Sequence, residues 1–492
     1  MTPTNLIIIM ADEHNPKVMG CSGHPLVKTP NLDKLAASGT RFANAYTNSP
    51  LCVPARASFA TGQYVHKIGY WDTAHPYEGS VKSWGHRLQE SGHRVDSIGK
   101  LHYRSEEDPA GFDEQIIPMH VAEGIGDVPG AIREGEIPPK ISCQKIAAKV
   151  GPGESTYAAY DRNVTEKSCE WLENAASGGE QAPWVLFVSL VCPHYPLIAP
   201  AKFFEMYPLD DVPAPAKVPK ENPDNHPWIQ ALRNYWVFDD YMTDESRRIG
   251  VAAYFGLCSF QDHNVGRIMK IVEDNNLAAN TRIVYTSDHG EILGKRGMWG
   301  KSTLYDEAAA IPMIVSGPGI AKNKVSLTPV TLVDIYQTVL ENAGLGLNKE
   351  EADFPGKSLF EIANAADDPD RIAFCEYHAA GAPTGAFMLR RGKYKYIHYV
   401  DYEPELFDLE VDPEELVNLS EETDQQALMK EFEVILFLML DPKGVDKQAK
   451  VDQAALIERH GGRETVLSKG SYGPTPAPGE KIVFIEHPEE IR

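Results

Sequence analysis

Positive charge is in short supply: 47 Lys and Arg face 70 Asp and Glu, for a formal net charge of −23. Such a chain is a poor candidate for non-specific binding to nucleic acid or to an anionic membrane surface, both of which need an excess of cations. Long apolar runs are missing too. No stretch approaches the ~20 apolar residues of a membrane span, and the opening "MTPTNLIIIMADEHNP" has neither a basic leader nor a small-residue cleavage site. Cysteines are few. The seven, at 21, 52, 143, 169, 192, 258 and 375, follow no pairing pattern and read as reduced thiols of a cytoplasmic protein. Repeats and low-complexity blocks are absent. Neither nucleic acid nor membrane is expected as a partner, and an anionic small substrate is admissible only where cations cluster locally.

The rest is ordinarily globular, with 42% hydrophobic and 24% charged residues in 492. "NLIIIMAD" (5–12) is short, β-branched and continuously apolar, as a strand buried on both faces should be. "PNLDKLAASG" reads as a helix with proline at its start and glycine at its end. "TRFANAYT" reads as a strand and "SWGHRLQESG" as a helix leading into "HRVDSIGK". Further strands are expected at 184–191, 282–288 and 311–317. Helices are expected over 156–178, 243–277 and shortly after Ser302. Alternation of apolar strands with helices predicts an α/β fold with a large, doubly wound sheet flanked by helices.

After about residue 370 the texture changes to short strands ("RIAFCEYH", "AFMLRRGKYKYIHYV", "ELFDLEVD") and a helix, "TDQQALMKEFEVILFLML". This divides the chain into a domain over 1–370 and a smaller α+β subdomain over 371–492. A Gly- and Pro-rich tail ending in "KIVFIEHP" would pack on the subdomain or on a neighbouring subunit of a homo-oligomer.

Ligands of doubly wound sheets collect beyond the carboxyl ends of the strands. Asp12, Lys100 with His102, His194, and Asp288 with His289 all fall at such ends. "SPLCVPARASFATGQY" (49–64) adds a lone thiol at a helix start. Pro54 suits the first turn, and the N–H groups and dipole there favour an anion beside Cys52, with Arg56 one turn on. That local field suits a nucleophilic oxygen or sulfur, or a bound anion. A cysteine packed as a small apolar side chain is the competing reading. Singly, the other residues also have structural readings: a cap for Asp12, a solvated face for Lys100 and His102, turns for His194 and Asp288-His289, and a surface stem for Lys301. All of these would have to hold together to remove the site.

Cys52-Val53-Pro54-Ala55-Arg56, with Thr61-Gly62, resembles the C-x-P-x-R sequence of type I sulfatases, members of the alkaline phosphatase superfamily. "NLIIIMAD", "GKLHY", "CPHYP", "SDHGEILGKRGMWGKSTLYDEAAAIPMIV" and "ELFDLEVDPEELVNL" resemble further family segments in the family's order, over nearly the whole chain. The resemblance implies an alkaline phosphatase-like, mostly parallel sheet and a sulfuric ester hydrolase acting on a small organic sulfate monoester.

The resemblance also implies that Cys52 is oxidised to formylglycine by a formylglycine-generating enzyme. The aldehyde hydrates, one hydroxyl attacks sulfur, and the covalent sulfo-enzyme collapses when the second hydroxyl loses its proton. Asp12, Asp288, His289 and the modified Cys52 resemble the metal ligands, with Glu13 a further candidate. An oxygen-rich set of this kind fits Ca²⁺ or Mn²⁺. Arg56 and Lys100 would hold the modified side chain and the sulfate, and His102 would be the base. His194 and Lys301 would clamp the sulfate and protonate the leaving oxygen.

Two positions depart from the family. Ala55 stands where serine is commoner. Thr73 takes the place of an asparagine found in choline sulfatases and phosphonate monoester hydrolases, as a substrate contact. Loops such as "WDTAHPY", "GFDEQIIPMHV" and "NHPWIQALRNYW" are expected to wall the pocket. A phosphonate monoester or phosphodiester hydrolase using the same aldehyde is the nearest alternative. A non-catalytic anion-binding protein with unmodified Cys52 is the second.

Overall fold

In a computed structural model, residues 3–178, 182–213, 215, 217–219, 225–482 and 484–485 are described. An eight-stranded sheet forms the centre. Its strands are β1 (Asn5–Asp12), β2 (Gly39–Phe42), β3 (Arg94–Lys100), β4 (Glu114–Met119), β5 (Trp184–Pro193), β6 (Thr281–Ser287), β7 (Met313–Ser316) and β8 (Lys324–Ser326). They lie in the order β8-β2-β7-β6-β1-β5-β3-β4. Only β7 runs against the rest, antiparallel to both β6 and β2. The mostly parallel, doubly wound α/β expectation holds.

Alternation along β1 accounts for the two layers. Ile7, Ile9 and Ala11 enter one core and Leu6, Ile8 and Met10 the other, because successive side chains of a strand point to opposite faces. The first core is closed by α1 (Pro30–Ala37) and by two long helices, Thr156–Ser177 and Asp244–Asp274. Ser155 caps the former by accepting from the Ala158 N–H, and Thr243 with Ser246 forms a reciprocal capping box on the latter. The second core takes α2 (Cys52–Thr61), every residue of which is buried, together with helices Trp84–Glu90 and Asp334–Asn342.

The C-terminal part forms a four-stranded antiparallel sheet, β9 (Ala373–Tyr377) to β12 (Glu405–Asp408), with β10 (Ala386–Arg391) and β11 (Tyr394–Tyr399) between them. One face holds helix Gln426–Met439 through Phe387, Leu389, Tyr396, Phe432 and Leu436. The other packs Tyr377, Met388 and Tyr399 against Trp228 and Tyr305 of the large domain.

Several sequence expectations need correction. "TRFANAYT" is two strands, β2 and Ala45–Tyr46, which belong to different sheets. "GFDEQIIPMHV" is not a loop: it holds the edge strand β4, where Pro118 is tolerated because an edge leaves N–H groups unpaired. "NHPWIQALRNYW" forms helix Pro227–Tyr235 with proline in its first turn, and Trp228 is wholly buried. Two further helices, Pro442–Arg459 and Gly462–Ser468, follow the one expected. Residues 486–492 of the tail lie outside the described residues. No helix among the described residues is long and apolar enough to cross a membrane.

Gly99 is the point where fold and site meet. Its φ is +104°, and a Cβ built there would stand 2.1 Å from the Ser189 carbonyl oxygen of β5. Gly99→Ala should therefore destabilise by more than the about 1–3 kcal/mol that such a backbone conformation alone costs a non-glycine residue. An unchanged urea midpoint would show that β3 and β5 are not so tightly opposed.

Candidate active site

Parallel register brings the ends of four strands to one edge. Asp12 stands opposite Pro193 of β5, Ala11 opposite Ser287 of β6, and Gly99 opposite Ser189. Chain continuation then places His194 and Asp288-His289 beside Asp12, and Lys100 one strand further. The N-terminus of α2 faces this edge with Cys52, which is 3% exposed.

Arg56 ties the parts together. Its Nε donates to Asp288 Oδ2 at 2.8 Å and its Nη2 to Asp12 Oδ2 at 3.0 Å. Nη1 donates to the Lys100 carbonyl at 2.7 Å and to Ser189 Oγ at 2.9 Å. Lys100 Nζ pairs with Asp12 Oδ2 at 2.6 Å. Burial pushes the Asp12 carboxyl up, but Lys100, His194, Arg56 and Lys301 outweigh it and hold the group well below the usual range.

Cys52 Sγ sits 3.0 Å from Lys301 Nζ, 3.1 Å from His289 Nε2 and 3.6 Å from Asp12 Oδ1. Burial, with Asp12 nearby, pushes its thiol up to about 11 despite Lys301 and Lys100. Lys301 Nζ also meets His194 Nε2 at 2.8 Å and His289 Nε2 at 3.2 Å, so its three N–H donors have three acceptors. Burial would lower the Lys301 ammonium, yet Cys52, Glu13, Tyr195 and Asp12 raise it well above its ordinary value.

Both imidazoles are oriented from behind. His289 Nδ1 lies 3.0 Å from the Gly290 carbonyl and His194 Nδ1 2.5 Å from the Tyr195 carbonyl. A carbonyl only accepts, so each Nδ1 carries the proton and each Nε2 keeps its lone pair toward the centre. Burial and the Lys301 charge lower His289 to about 4 and hold His194 well below its usual value. His102 is buried with Nε2 on Thr475 Oγ1 at 2.9 Å, and burial with Lys100 and Arg56 lowers it strongly.

Carboxylate oxygens of Asp12 and Asp288, His289 and Cys52 Sγ gather within 4.8 Å of one another. Two hard oxygen donors, one available imidazole lone pair and a fourth donor at position 52 fit a divalent cation. Glu13 belongs to a second such group, with Asp12 and His194; it lies 3.3 Å from His194 Nε2 and 3.7 Å from Lys301 Nζ, and both its buried oxygens lack hydrogen-bond partners.

Of the residues singled out from sequence, Asp12, Cys52, Arg56, Lys100, Asp288, His289, His194 and Lys301 form one contact network, with His102 beside Lys100. No described hydrogen bond joins Thr73 to it; the Thr73 carbonyl lies against Gly126, and its neighbour Asp72 pairs with His75 and Gln453. Sequence reading passed over Ser189 and Thr475. Ser189 had a signal, as the one hydroxyl inside the apolar run "WVLFVSLV". Thr475, in a Gly- and Pro-rich stretch, had none.

A doubly wound sheet whose strand ends hold a helix-borne residue 52 among carboxylates, imidazoles and three buried cations makes an enclosed site suited to an anionic ligand. Residues 4–345 match the Sulfatase family and residues 294–439 the family described as N-sulphoglucosamine sulphohydrolase, C-terminal. The chain is 31% identical to the choline-sulfatase of Rhizobium meliloti over 465 residues, covering 92% of this chain and 89% of that one. It is 29% identical to arylsulfatase K of Rattus norvegicus over 447 residues, 85% of this chain and 75% of that one. Among solved structures, the phosphonate monoester hydrolase of Agrobacterium radiobacter shares the fold with a TM-score of 0.71 at 23% identity, covering 91% and 96% of the two chains. The chain belongs to the sulfatase family of the alkaline phosphatase superfamily, and it is a sulfuric ester hydrolase.

Removing the Arg56 guanidinium takes from Asp288 its arginine partner and leaves Asp12 with Lys100 alone of its two close cations. Arg56→Met should cost about 3–5 kcal/mol, read as a lowered urea midpoint in chelator-treated protein. An unaltered midpoint would mean that Asp12 and Asp288 are held by something else.

Proposed function

We propose that the enzyme hydrolyses a small organic sulfate monoester with residue 52 as nucleophile, after conversion of Cys52 to formylglycine. The observation that carries this is the position of Cys52 Sγ, in reach of Lys301, His289 and Asp12 at the head of α2. The hydrated aldehyde carries two hydroxyls: one would attack sulfur as the S–O bond to the leaving alcohol breaks, and it would depart with sulfate when its own C–O bond breaks, while the other would lose its proton and become the carbonyl again. A Ca²⁺ or Mn²⁺ ion held by Asp12, Asp288, His289 and residue 52 supplies the Lewis acidity that makes that hydroxyl a nucleophile near neutral pH.

The chain's own groups do the rest. Lys100 and Lys301 place positive charge where the transferring group's oxygens gain negative charge. Lys301 hands a proton to the leaving oxygen, with His194 Nε2 hydrogen-bonded to the same ammonium. His102 is the base that takes the proton when sulfate is expelled. The cations supply the local field that a chain of net charge −23 needs in order to admit an anion. A cavity of about 440 Å³ lined by Tyr157, Pro196, Lys145 and Thr475 lies beside the site, next to His102 through Thr475 and to His194 through Tyr157.

Because α2 is buried throughout, the formylglycine-generating enzyme must meet this segment before the domain closes. A second reading, phosphonate monoester or phosphodiester hydrolysis at the same site, is favoured by the likeness to the Agrobacterium hydrolase. Both ester classes present a single negative charge at the transferring group.

Two measurements test the proposal. Intact mass of protein from its native host should show residue 52 lighter by the difference between a thiol-bearing and an aldehyde-bearing side chain. A free thiol in fully active protein would end the aldehyde mechanism. One preparation assayed on aryl sulfate and aryl phosphonate esters should turn over the sulfate faster, and the opposite order would reverse the ranking.

A further inference from the structure

The segment after Gly470 returns over the large domain and brings the Thr475 hydroxyl to the site. Thr475 Oγ1 stands 2.9 Å from His102 Nε2, and the Thr475 carbonyl accepts the Tyr157 hydroxyl. Tyr157 in turn meets the His194 ring edge-on, with centroids 5.9 Å apart. The segment is anchored just beyond: Ala477 is buried, its N–H donates to the Glu480 carboxylate, and its carbonyl accepts the Glu480 N–H, each at 3.0 Å.

His102 is held from its backbone as well. Its φ is +56°, and its N–H donates to the Met119 carbonyl at 2.9 Å. Of the two ring nitrogens, Nε2 faces Thr475, and Nδ1 is buried without a hydrogen-bond partner. An imidazole acts as a base only through the nitrogen that carries a lone pair, and the hydrogen bond on the other nitrogen decides which one that is. A buried N–H without a partner is rarer and costlier than an under-used acceptor. The arrangement in which Nε2–H donates to Thr475 and Nδ1 keeps the lone pair is therefore the favoured one.

We infer that Thr475 is a positioning residue for the reaction: it accepts the Nε2 proton of His102 and so keeps Nδ1 available as the base. The C-terminal segment is thereby part of the active site. This rests on the reading of His102 as the base.

The test compares full-length wild type with Thr475→Val, which removes the hydroxyl at similar size, and Thr475→Ser, which restores it. Long-range ¹⁵N–¹H spectra of histidine-labelled protein should show His102 protonated at Nε2 in wild type and Thr475→Ser. In Thr475→Val that signature should be lost. On an aryl sulfate, Thr475→Val should lower kcat by about 10- to 100-fold, at or below the usual contribution of a positioned base, with KM little changed and Thr475→Ser close to wild type. A wild-type His102 protonated at Nδ1, or a Thr475→Val spectrum and kcat both equal to wild type, would overturn the inference. Absence of sulfate turnover in wild type with the Nε2–H signature intact would instead overturn the functional reading and leave the pairing standing.

Discussion

The structure depends on one buried guanidinium. Arg56 lies in the first turns of α2, where no water can solvate it, and its charge is offset by Asp12 and Asp288 from two neighbouring strands. Its two Nη1 N–H groups go to the Lys100 carbonyl and to Ser189, from two more. A planar fork can reach acceptors on four elements at once; a lysine ammonium presents no such fixed geometry. Because Cys52 is one turn before Arg56 on the same rigid helix, the network that satisfies the guanidinium also fixes where residue 52 points.

Proton traffic follows from the same economy of partners. His194 and His289 are both held by backbone carbonyls, so their inner nitrogens are acceptors and the central ammonium of Lys301 is the donor. Neutral imidazoles beside an ammonium are what burial and like charge produce together. Were a cation to take the His289 lone pair, as proposed, one Lys301 N–H would be free for an ester oxygen. Glu13 lies on the His194 and Lys301 side, where burial, with Glu291 and Asp12 nearby, pushes its carboxyl well above the usual carboxylate range despite Lys301.

Most of the sheet was legible because its strands are continuous apolar runs, and β1 could scarcely be anything else. The candidate site was legible for a related reason. Polar residues at the ends of such runs have only one edge to occupy once the strands are parallel, so Asp12, Lys100, His194 and Asp288 had to converge. β4 was not legible, since "EQIIPM" carries a proline and only an edge position makes that acceptable. Thr73 was named from a resemblance at a loop position; its neighbour Asp72 is bound to helix Pro442–Arg459 through Gln453. Thr475 meets His102 across 373 residues of chain, a contact that no local pattern encodes.

The division of labour between these parts bears on what the enzyme selects. Strand ends and α2 carry groups that address only the transferring oxyanion, and sulfate monoesters, phosphonate monoesters and phosphodiesters offer them nearly the same charge. Discrimination must then come from what touches the rest of the ester. The cavity beside Tyr157 is lined by Pro474, Thr475 and Pro476 of the tail together with Lys145 and Lys149. A segment with no strand of the central sheet in it can change in sequence without disturbing Arg56 or the carboxylates it holds. The buried core thus carries the groups aimed at the oxyanion, and under the proposed reaction the choice among anionic esters falls to residues outside it.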